Sequence, residues 1–199
     1  MEVCRYFHFY LTYIEKCTFD ELLDLSNKND FTDDSFLNME NQAGGLLLNK
    51  QRNTSFVVRH HRNLKDYFDV VKALEQICPK AIPDYIRMIF MDTICANPDR
   101  HTNNFGLLRD IKTGELIGFA PNYDNNMALI SRGYPNPPTK NDILINLFND
   151  FISDHPEYMQ FIPTVTEEII IDILEELNMK VRRKEIISII MKRYTLIKK

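Results

Sequence analysis

Glycine is scarce in this sequence, and the glycine-rich motifs that cradle phosphates are absent from it. The six glycines stand at positions 44, 45, 106, 114, 118 and 133, so neither G-x-G-x-x-G nor G-x-x-x-x-G-K-[ST] occurs. A loop of backbone N–H groups, often with a nearby lysine, is a common device for binding nucleotide phosphates. Both common forms of that device are therefore excluded from these 199 residues.

Cysteine is also rare, and its spacing does not suggest a metal site or a disulfide framework. The four cysteines form no C-x-x-C pair and have no zinc-like spacing. We interpret Cys4, Cys17, Cys78 and Cys95 as reduced thiols in or near the core. This use of cysteine predicts a cytoplasmic protein.

The sequence has neither a long apolar run nor an excess of positive charge. No stretch approaches the roughly 18 apolar residues that a membrane span needs. The opening MEVCRYFHFYLTYIEKC lacks the basic and apolar regions of a signal peptide. A formal charge of −4 and a pI near 5.7 provide no broad electrostatic footprint for nucleic acid. We therefore expect neither a membrane nor a nucleic acid as a partner.

Apolar residues at helical spacing dominate much of the chain. Residues 64–78 follow this pattern, and residues 84–95 are apolar on nearly every face, as in a helix at the centre of a domain. Three further helical patterns begin near Leu144, after the capping residue Thr166, and near Ile186. The sequence therefore predicts a mainly helical protein.

A short β element interrupts these helices. FGLLRD and LIGFAP flank IKTGE, which predicts a hairpin with Gly114 in its turn. No internal repeat or break in composition marks a second domain. We expect a single mainly α (α+β) domain over residues 1–199, helical with a small β-hairpin at the candidate site.

The most informative stretch is NPDRHTNNFG at residues 97–106, which APNYD follows at residues 120–124. Asp99 and Asn104 have the D-x-x-x-x-N spacing of a kinase catalytic loop, and Asp124 comes after the predicted hairpin. Phosphoryl transfer needs a carboxylate that accepts the proton of the attacking hydroxyl, and oxygen ligands that hold Mg²⁺. These three residues provide such a set.

The residues around this set indicate how the loop is held. Asn97-Pro98 takes the chain out of helical conformation after the buried helix, and Phe105 is expected to anchor the loop at its other end. We assign His101 a structural hydrogen-bonding role within the loop. Arg100 is expected to neutralise charge locally.

The two motifs together resemble the catalytic and metal-binding motifs of the HipA-like serine/threonine kinases, whose pattern is approximately N-x-D-[RD]-H-x-x-N-F followed by A-P-x-Y-D. The resemblance implies that Asp99 is the catalytic aspartate, in a catalytic loop that also contains His101. It implies that Asn104 and Asp124 bind Mg²⁺ and, through it, ATP. Phosphoinositide kinases share the shorter pattern D-R-H-x-x-N, so the chain is also similar to them, more distantly.

The resemblance covers residues 84–130 closely, as a catalytic and metal-binding core, and the C-terminal helices of residues 139–199 in a general way. It implies ATP and Mg²⁺ as cofactors and a protein Ser or Thr hydroxyl as the phosphate acceptor. HipA-like relatives can act as toxins, in toxin–antitoxin systems, on translation factors or tRNA synthetases. The family's amino-terminal lobe is not found here, so the chain resembles a C-terminal kinase lobe. We expect ATP turnover where the amino-terminal lobe is also present.

Three other interpretations remain open from the sequence. Asp and Asn commonly occupy polar turns, so each residue of the set could serve only as a turn or cap residue. A kinase-like lobe without the phosphate-covering loop could be a non-catalytic module that binds a partner protein. A lipid kinase would call for a basic surface facing a membrane, of which this acidic chain gives little sign.

Overall fold

The computed structural model describes residues 64–102, 104–110, 113–131, 141–180 and 182–198. Within these ranges the chain is mainly helical, and one two-stranded antiparallel sheet accompanies the helices. No helix in the described ranges is both long enough and apolar enough to cross a membrane. Cys4 and Cys17 lie outside the described residues. The helices are α1 (Leu64–Ile77), α2 (Ile82–Ile94), α3 (Ile143–Asp154), α4 (Glu167–Glu176) and α5 (Arg183–Tyr194), and the strands are β1 (Leu107–Arg109) and β2 (Leu116–Phe119).

The two helices that precede the polar loop confirm the prediction from apolar spacing. In α1 the buried residues recur every three or four positions, as at Tyr67, Val70 and Leu74. A single turn of 3₁₀ helix at Pro79–Ala81 separates α1 from α2. Pro83 occupies the first turn of α2, where the missing N–H removes no helical hydrogen bond. Most of α2 is buried, as its nearly uniform apolar composition predicts.

The predicted hairpin is also confirmed. Strand β1 pairs antiparallel with β2, and Leu107 lies opposite Phe119. Gly114 has φ of 72° and its N–H donates to the carbonyl of Asp110 at 2.8 Å. Glycine is suited to this position because a side chain is disfavoured at positive φ.

The three C-terminal helices begin at the predicted capping residue Thr166 or close to the predicted starts. The hydroxyl of Thr166 accepts a hydrogen bond from the N–H of Ile169 at 3.3 Å at the start of α4. The carboxylate of Asp142 likewise accepts from the N–H of Ile145 at 3.2 Å at the start of α3. Helix α5 ends at Tyr194, and Ile197, three residues beyond that end, is still buried.

The described residues fall into two compact units. The hairpin unit comprises residues 64–85 and Arg100–Tyr123, and the C-terminal unit comprises Ile86–Asp99 and the described residues from Asp124 onward. The expected single domain over residues 1–199 stays a prediction.

A buried arginine on α5 connects that helix to α2 and to the start of α3. Arg193 on α5 is 3% exposed, and it donates to the carboxylate of Asp142 at 2.6 and 2.8 Å. Its Nε also donates to the carbonyl of Thr93 near the end of α2 at 2.6 Å. Beside this cluster the ring of Phe90 on α2 contacts those of Phe148 on α3 and Tyr194 on α5, with centroids 5.7 and 6.1 Å away. Thus α2, α3 and α5 share one core.

Candidate active site

The predicted catalytic residue Asp99 lies five residues beyond the end of α2, in the C-terminal unit. The helix ends at Ile94, and Ala96 adopts the left-handed conformation with φ of 55°. The side chain of Asn97 then donates from Nδ2 to Oδ1 of Asp92 at 2.7 Å, and its own Oδ1 accepts from the N–H of Asp99 at 3.3 Å. The buried carboxylate of Asp92 is therefore paired within the chain. The chain before Asp99 is therefore bonded to the last turn of α2.

The segment that carries Asp124 is bonded to the same end of α2. Leu129 has φ of 54°, and its N–H donates to the carbonyl of Cys95 at 2.7 Å. Asp124 precedes Leu129 by five residues, and Asp99 follows Cys95 by four. Within the C-terminal unit, the segments that carry the two predicted carboxylates therefore share one anchor, the end of α2.

In the hairpin unit one arginine joins the two motifs. Arg100 is 3% exposed, and its Nη1 donates to the main-chain carbonyl of Asn104 and, at 3.1 Å, to that of Tyr123. Asn104 belongs to the first motif and Tyr123 to the second, 23 residues after Arg100. The sequence predicted only local charge neutralisation for Arg100. The structure has it bonded, in addition, to the main chain of both motifs.

The loop in the hairpin unit is closed by a turn and an aromatic anchor. The carbonyl of His101 accepts from the N–H of Asn104 at 2.9 Å. Phe105 is buried, its ring stacks on that of Phe119 with centroids 6.0 Å apart, and it also contacts Tyr85 at 5.7 Å. The predicted anchoring role of Phe105 is confirmed. Since Phe119 is the last residue of β2, the hairpin is packed against the loop residue that follows Asn104.

The four predicted site residues are divided between the units. Asp99 and Asp124 belong to the C-terminal unit, and His101 and Asn104 belong to the hairpin unit. Asn104 is buried at 2% exposure, whereas Asp99, His101 and Asp124 are partly exposed. The described ranges contain no group of three or more His, Cys, Asp or Glu residues that could hold a metal ion. The predicted metal ligands are only one amide, from Asn104, and one carboxylate, from Asp124, so they do not form a group of this kind. The roles assigned to the four residues therefore stay predictions.

Cys95 lies close to these segments but is not suited to nucleophilic chemistry. Burial raises the pKa of its thiol far above the ordinary value, the carboxylate of Asp92 raises it further, and the guanidinium of Arg193 offsets only part of the increase. The thiol is therefore neutral at physiological pH, and a neutral thiol is a weak nucleophile. This agrees with the interpretation of Cys95 as a core residue.

Two features near Asp124 could not be predicted from the sequence pattern. Asp124 itself adopts the left-handed conformation with φ of 55°. Two residues earlier, the side chain of Asn122 is buried, and neither of its polar atoms has a hydrogen-bond partner among the described residues. No local pattern marks such features, because both depend on what packs around the chain.

Comparison of the chain with protein-family models, with curated proteins and with solved structures finds no match.

Proposed function

We propose that this chain is a Mg²⁺-dependent phosphotransferase of the HipA-like serine/threonine kinase type, or the C-terminal lobe of one, and that it transfers the γ-phosphate of ATP to a protein hydroxyl. The order and spacing of the two motifs support the proposal. The observation that carries it is the pair of hydrogen bonds from Arg100 to the main chain of both motifs.

These two hydrogen bonds argue against the alternative of two unrelated polar turns. A turn needs only local partners, whereas Arg100 bonds to the carbonyl of Tyr123, far along the chain. A buried guanidinium requires acceptors for its donors, so its position depends on both motifs being present. The main chain at Asn104 and at Tyr123, the neighbour of Asp124, is therefore held by one side chain. Such a fixed main chain is what a pair of metal ligands needs.

The conformation of Asp124 is a second observation in favour. Asp tolerates the left-handed region better than most residues, but the conformation still costs about 1–2 kcal/mol. Unfavourable backbone conformations persist where the surrounding structure enforces them, and they cluster at functional sites. A predicted metal ligand in this conformation therefore supports a functional role for Asp124.

The donor set fits Mg²⁺. Magnesium prefers oxygen ligands and usually keeps several waters, so one amide oxygen from Asn104 and one carboxylate from Asp124 are sufficient. Partial exposure of Asp124 leaves room for water at that ligand. When bound, the ion would supply neutralisation of the charge that develops on the transferred phosphate.

In this proposal Asp99 orients the acceptor hydroxyl and accepts its proton. Its carboxylate is partly exposed, as a group that must reach a protein substrate requires. Its N–H is bonded to Asn97, which is bonded to Asp92 on α2, so the loop is attached to a buried helix. Groups that must be positioned for transfer gain from such rigid attachment.

Phosphate transfer from labelled ATP to the chain, or to a co-purified protein, tests the proposal. It should be measured with Mg²⁺ in this chain and in any longer protein that contains it. The label should be lost with EDTA and with Asp99→Asn or Asp124→Asn. Asp99→Asn should keep Mg²⁺–ATP binding, measured as a rise in Tm. Asp150→Asn, at an exposed position on α3, is the matched control and should transfer normally.

Two outcomes would count against the proposal in different ways. Normal transfer by both Asp99→Asn and Asp124→Asn would rule out the assigned residues. Absence of transfer together with no rise in Tm from Mg²⁺–ATP would favour the alternative, a kinase-like module that binds a partner protein without catalysis.

A further inference from the structure

The side chain of Asn122 is the most unusual polar group in the hairpin unit. It is 5% exposed, and both its amide nitrogen and its amide oxygen lack a hydrogen-bond partner among the described residues. It lies in the second motif, after β2, and one residue before Tyr123, whose carbonyl Arg100 binds. The unsatisfied amide is therefore next to main chain that Arg100 holds in place through a hydrogen bond.

An orphaned buried amide calls for a partner. A buried donor or acceptor without a hydrogen bond costs about 1–3 kcal/mol in protein mutational data, and Asn122 has both kinds of group in this state. Apolar side chains of similar size would avoid that penalty. A ligand that offers an acceptor and a donor side by side would satisfy both groups of this amide.

We propose that the amide of Asn122 binds the base of the nucleotide, by pairing with the adjacent donor and acceptor on the edge of adenine. This inference rests on the proposed function, because it assumes that the chain binds ATP. Asn122 lies two residues before Asp124, and two residues span at most about 7 Å. The two residues are therefore close enough along the chain to contact parts of one nucleotide.

The chemistry of the amide fits the base better than it fits the phosphates or their metal-bound waters. The amide has a donor and an acceptor side by side. Ionised phosphate oxygens only accept hydrogen bonds, and metal-bound waters chiefly donate them, so neither alone satisfies both groups. Adenine has an exocyclic amino donor beside a ring-nitrogen acceptor, which is the pair that Asn side chains bind in bidentate fashion. Rotation of the amide group by half a turn exchanges its nitrogen and oxygen, and the side chain still presents one donor beside one acceptor.

The wild-type chain provides the first test. Dissociation constants with Mg²⁺ should be measured by calorimetry for ATP and for purine riboside triphosphate, which lacks the exocyclic amino group. If Asn122 binds the base, the analogue should bind about tenfold to a hundredfold more weakly than ATP. The reason is that loss of the exocyclic amino group leaves the amide oxygen of Asn122 unsatisfied. Equal affinity for the two nucleotides would overturn the inference without any substitution.

Asn122→Leu provides the second test, because a ligand role and a structural role predict opposite results. Leucine removes both orphaned groups at similar volume, so the Tm without nucleotide should stay the same or rise. The ratio of the two dissociation constants should fall to about one, through weaker binding of ATP. Asn126→Leu, at an exposed position, is the matched control and should keep the wild-type ratio.

The outcomes separate this inference from the proposed function. Absence of nucleotide binding, both in the wild-type chain and in any longer protein that contains it, would overturn both. Binding of ATP that depends on Mg²⁺ and on Asp124, with no preference over the analogue, would overturn the role of Asn122 and leave the proposed function standing. A lower Tm in Asn122→Leu with an unchanged ratio would show that the amide is structural.

Discussion

Two arginines in this protein are equally buried, at 3% exposure, and the hydrogen bonds described for them connect different parts of the fold. Arg193, in the C-terminal unit, forms a bidentate ion pair with the carboxylate of Asp142. Arg100, in the hairpin unit, donates to the main-chain carbonyls of Asn104 and Tyr123. The first joins helices through opposite charges, and the second joins two loop segments through their backbone.

The difference indicates which property each arginine controls. Removing one member of an ion pair in a helical core destabilises the fold mainly because the other member is left as an uncompensated buried charge. A guanidinium bonded to loop carbonyls determines where those loop residues lie. We therefore expect changes at Arg193 to act on the stability of the fold, and changes at Arg100 to act on ligand binding more than on stability.

Removing the guanidinium of Arg193 should produce the largest effect. Arg193→Ala leaves Asp142 charged and unpaired and removes the donor to Thr93, so the free energy of unfolding should fall by about 3–5 kcal/mol. Urea denaturation measures this loss. The matched control is Lys192→Ala, at an exposed position on the same helix, which should change stability by less than about 0.5 kcal/mol. Equal losses in the two variants would contradict a special role for Arg193.

Acid should remove part of the same stabilisation. Burial raises the pKa of Asp142, but the hydrogen bonds and charge of Arg193 and the N–H groups of Ile145 and Leu144 outweigh it, so the pKa lies below its ordinary value. A lowered folded pKa means that the stabilisation is complete above the ordinary Asp value of about 3.9 and is lost as the pH falls through the folded pKa. The loss should be smaller than in Arg193→Ala, because a neutral carboxyl still accepts hydrogen bonds.

The measurement is the stability difference between wild type and Asp142→Asn in urea as the pH is lowered from 7. That difference should be constant down to about pH 5 and should then narrow. Asp150→Asn, which is exposed, should show no comparable narrowing. A difference that widens at low pH would contradict the assigned direction of the Asp142 pKa.

Replacing Arg100 by lysine should weaken ligand binding more strongly than it lowers the stability of the fold. Lysine keeps the charge but lacks the planar set of donors, so the bonds to Asn104 and Tyr123 cannot both be kept in the same geometry. We expect a stability loss of about 1–3 kcal/mol, with loss of the rise in Tm that Mg²⁺–ATP causes. Arg109→Lys, at an exposed arginine that bonds to the carbonyl of Gly114, is the control. An unchanged Tm response in Arg100→Lys would contradict the proposal.

A helix cap that contacts neither arginine should show the smallest effect. Thr166→Ala removes the hydroxyl that accepts from Ile169 at the start of α4, and it should lower the unfolding free energy by about 1 kcal/mol. Thr164→Ala, at an exposed position two residues earlier, should be neutral in the same urea titration. A larger loss at Thr166 than at Arg193 would show that the ion pair contributes little.

Much of the fold could be predicted because the signals are local. The spacing of buried residues in α1, the cap at Thr166 and the turn at Gly114 each depend on residues within about one helical turn or one hairpin. Phe105 was predicted to anchor the polar loop because it is an apolar residue at the end of that loop. All of these predictions are confirmed. The roles of Asp99, His101, Asn104 and Asp124 were also predicted from spacing, but they remain predictions until transfer is measured.

Local pattern therefore determined the helices, the hairpin, the caps and the choice of candidate site residues. Only the tertiary structure determined that Arg193 pairs with Asp142, 51 residues away, that Arg100 reaches Tyr123, and that Asn122 is buried with its amide unsatisfied. Helical and strand periods relate a residue only to its near neighbours along the chain. The partner of a buried charge or amide depends instead on which distant segments pack around it, and that is decided by the packing of the whole core.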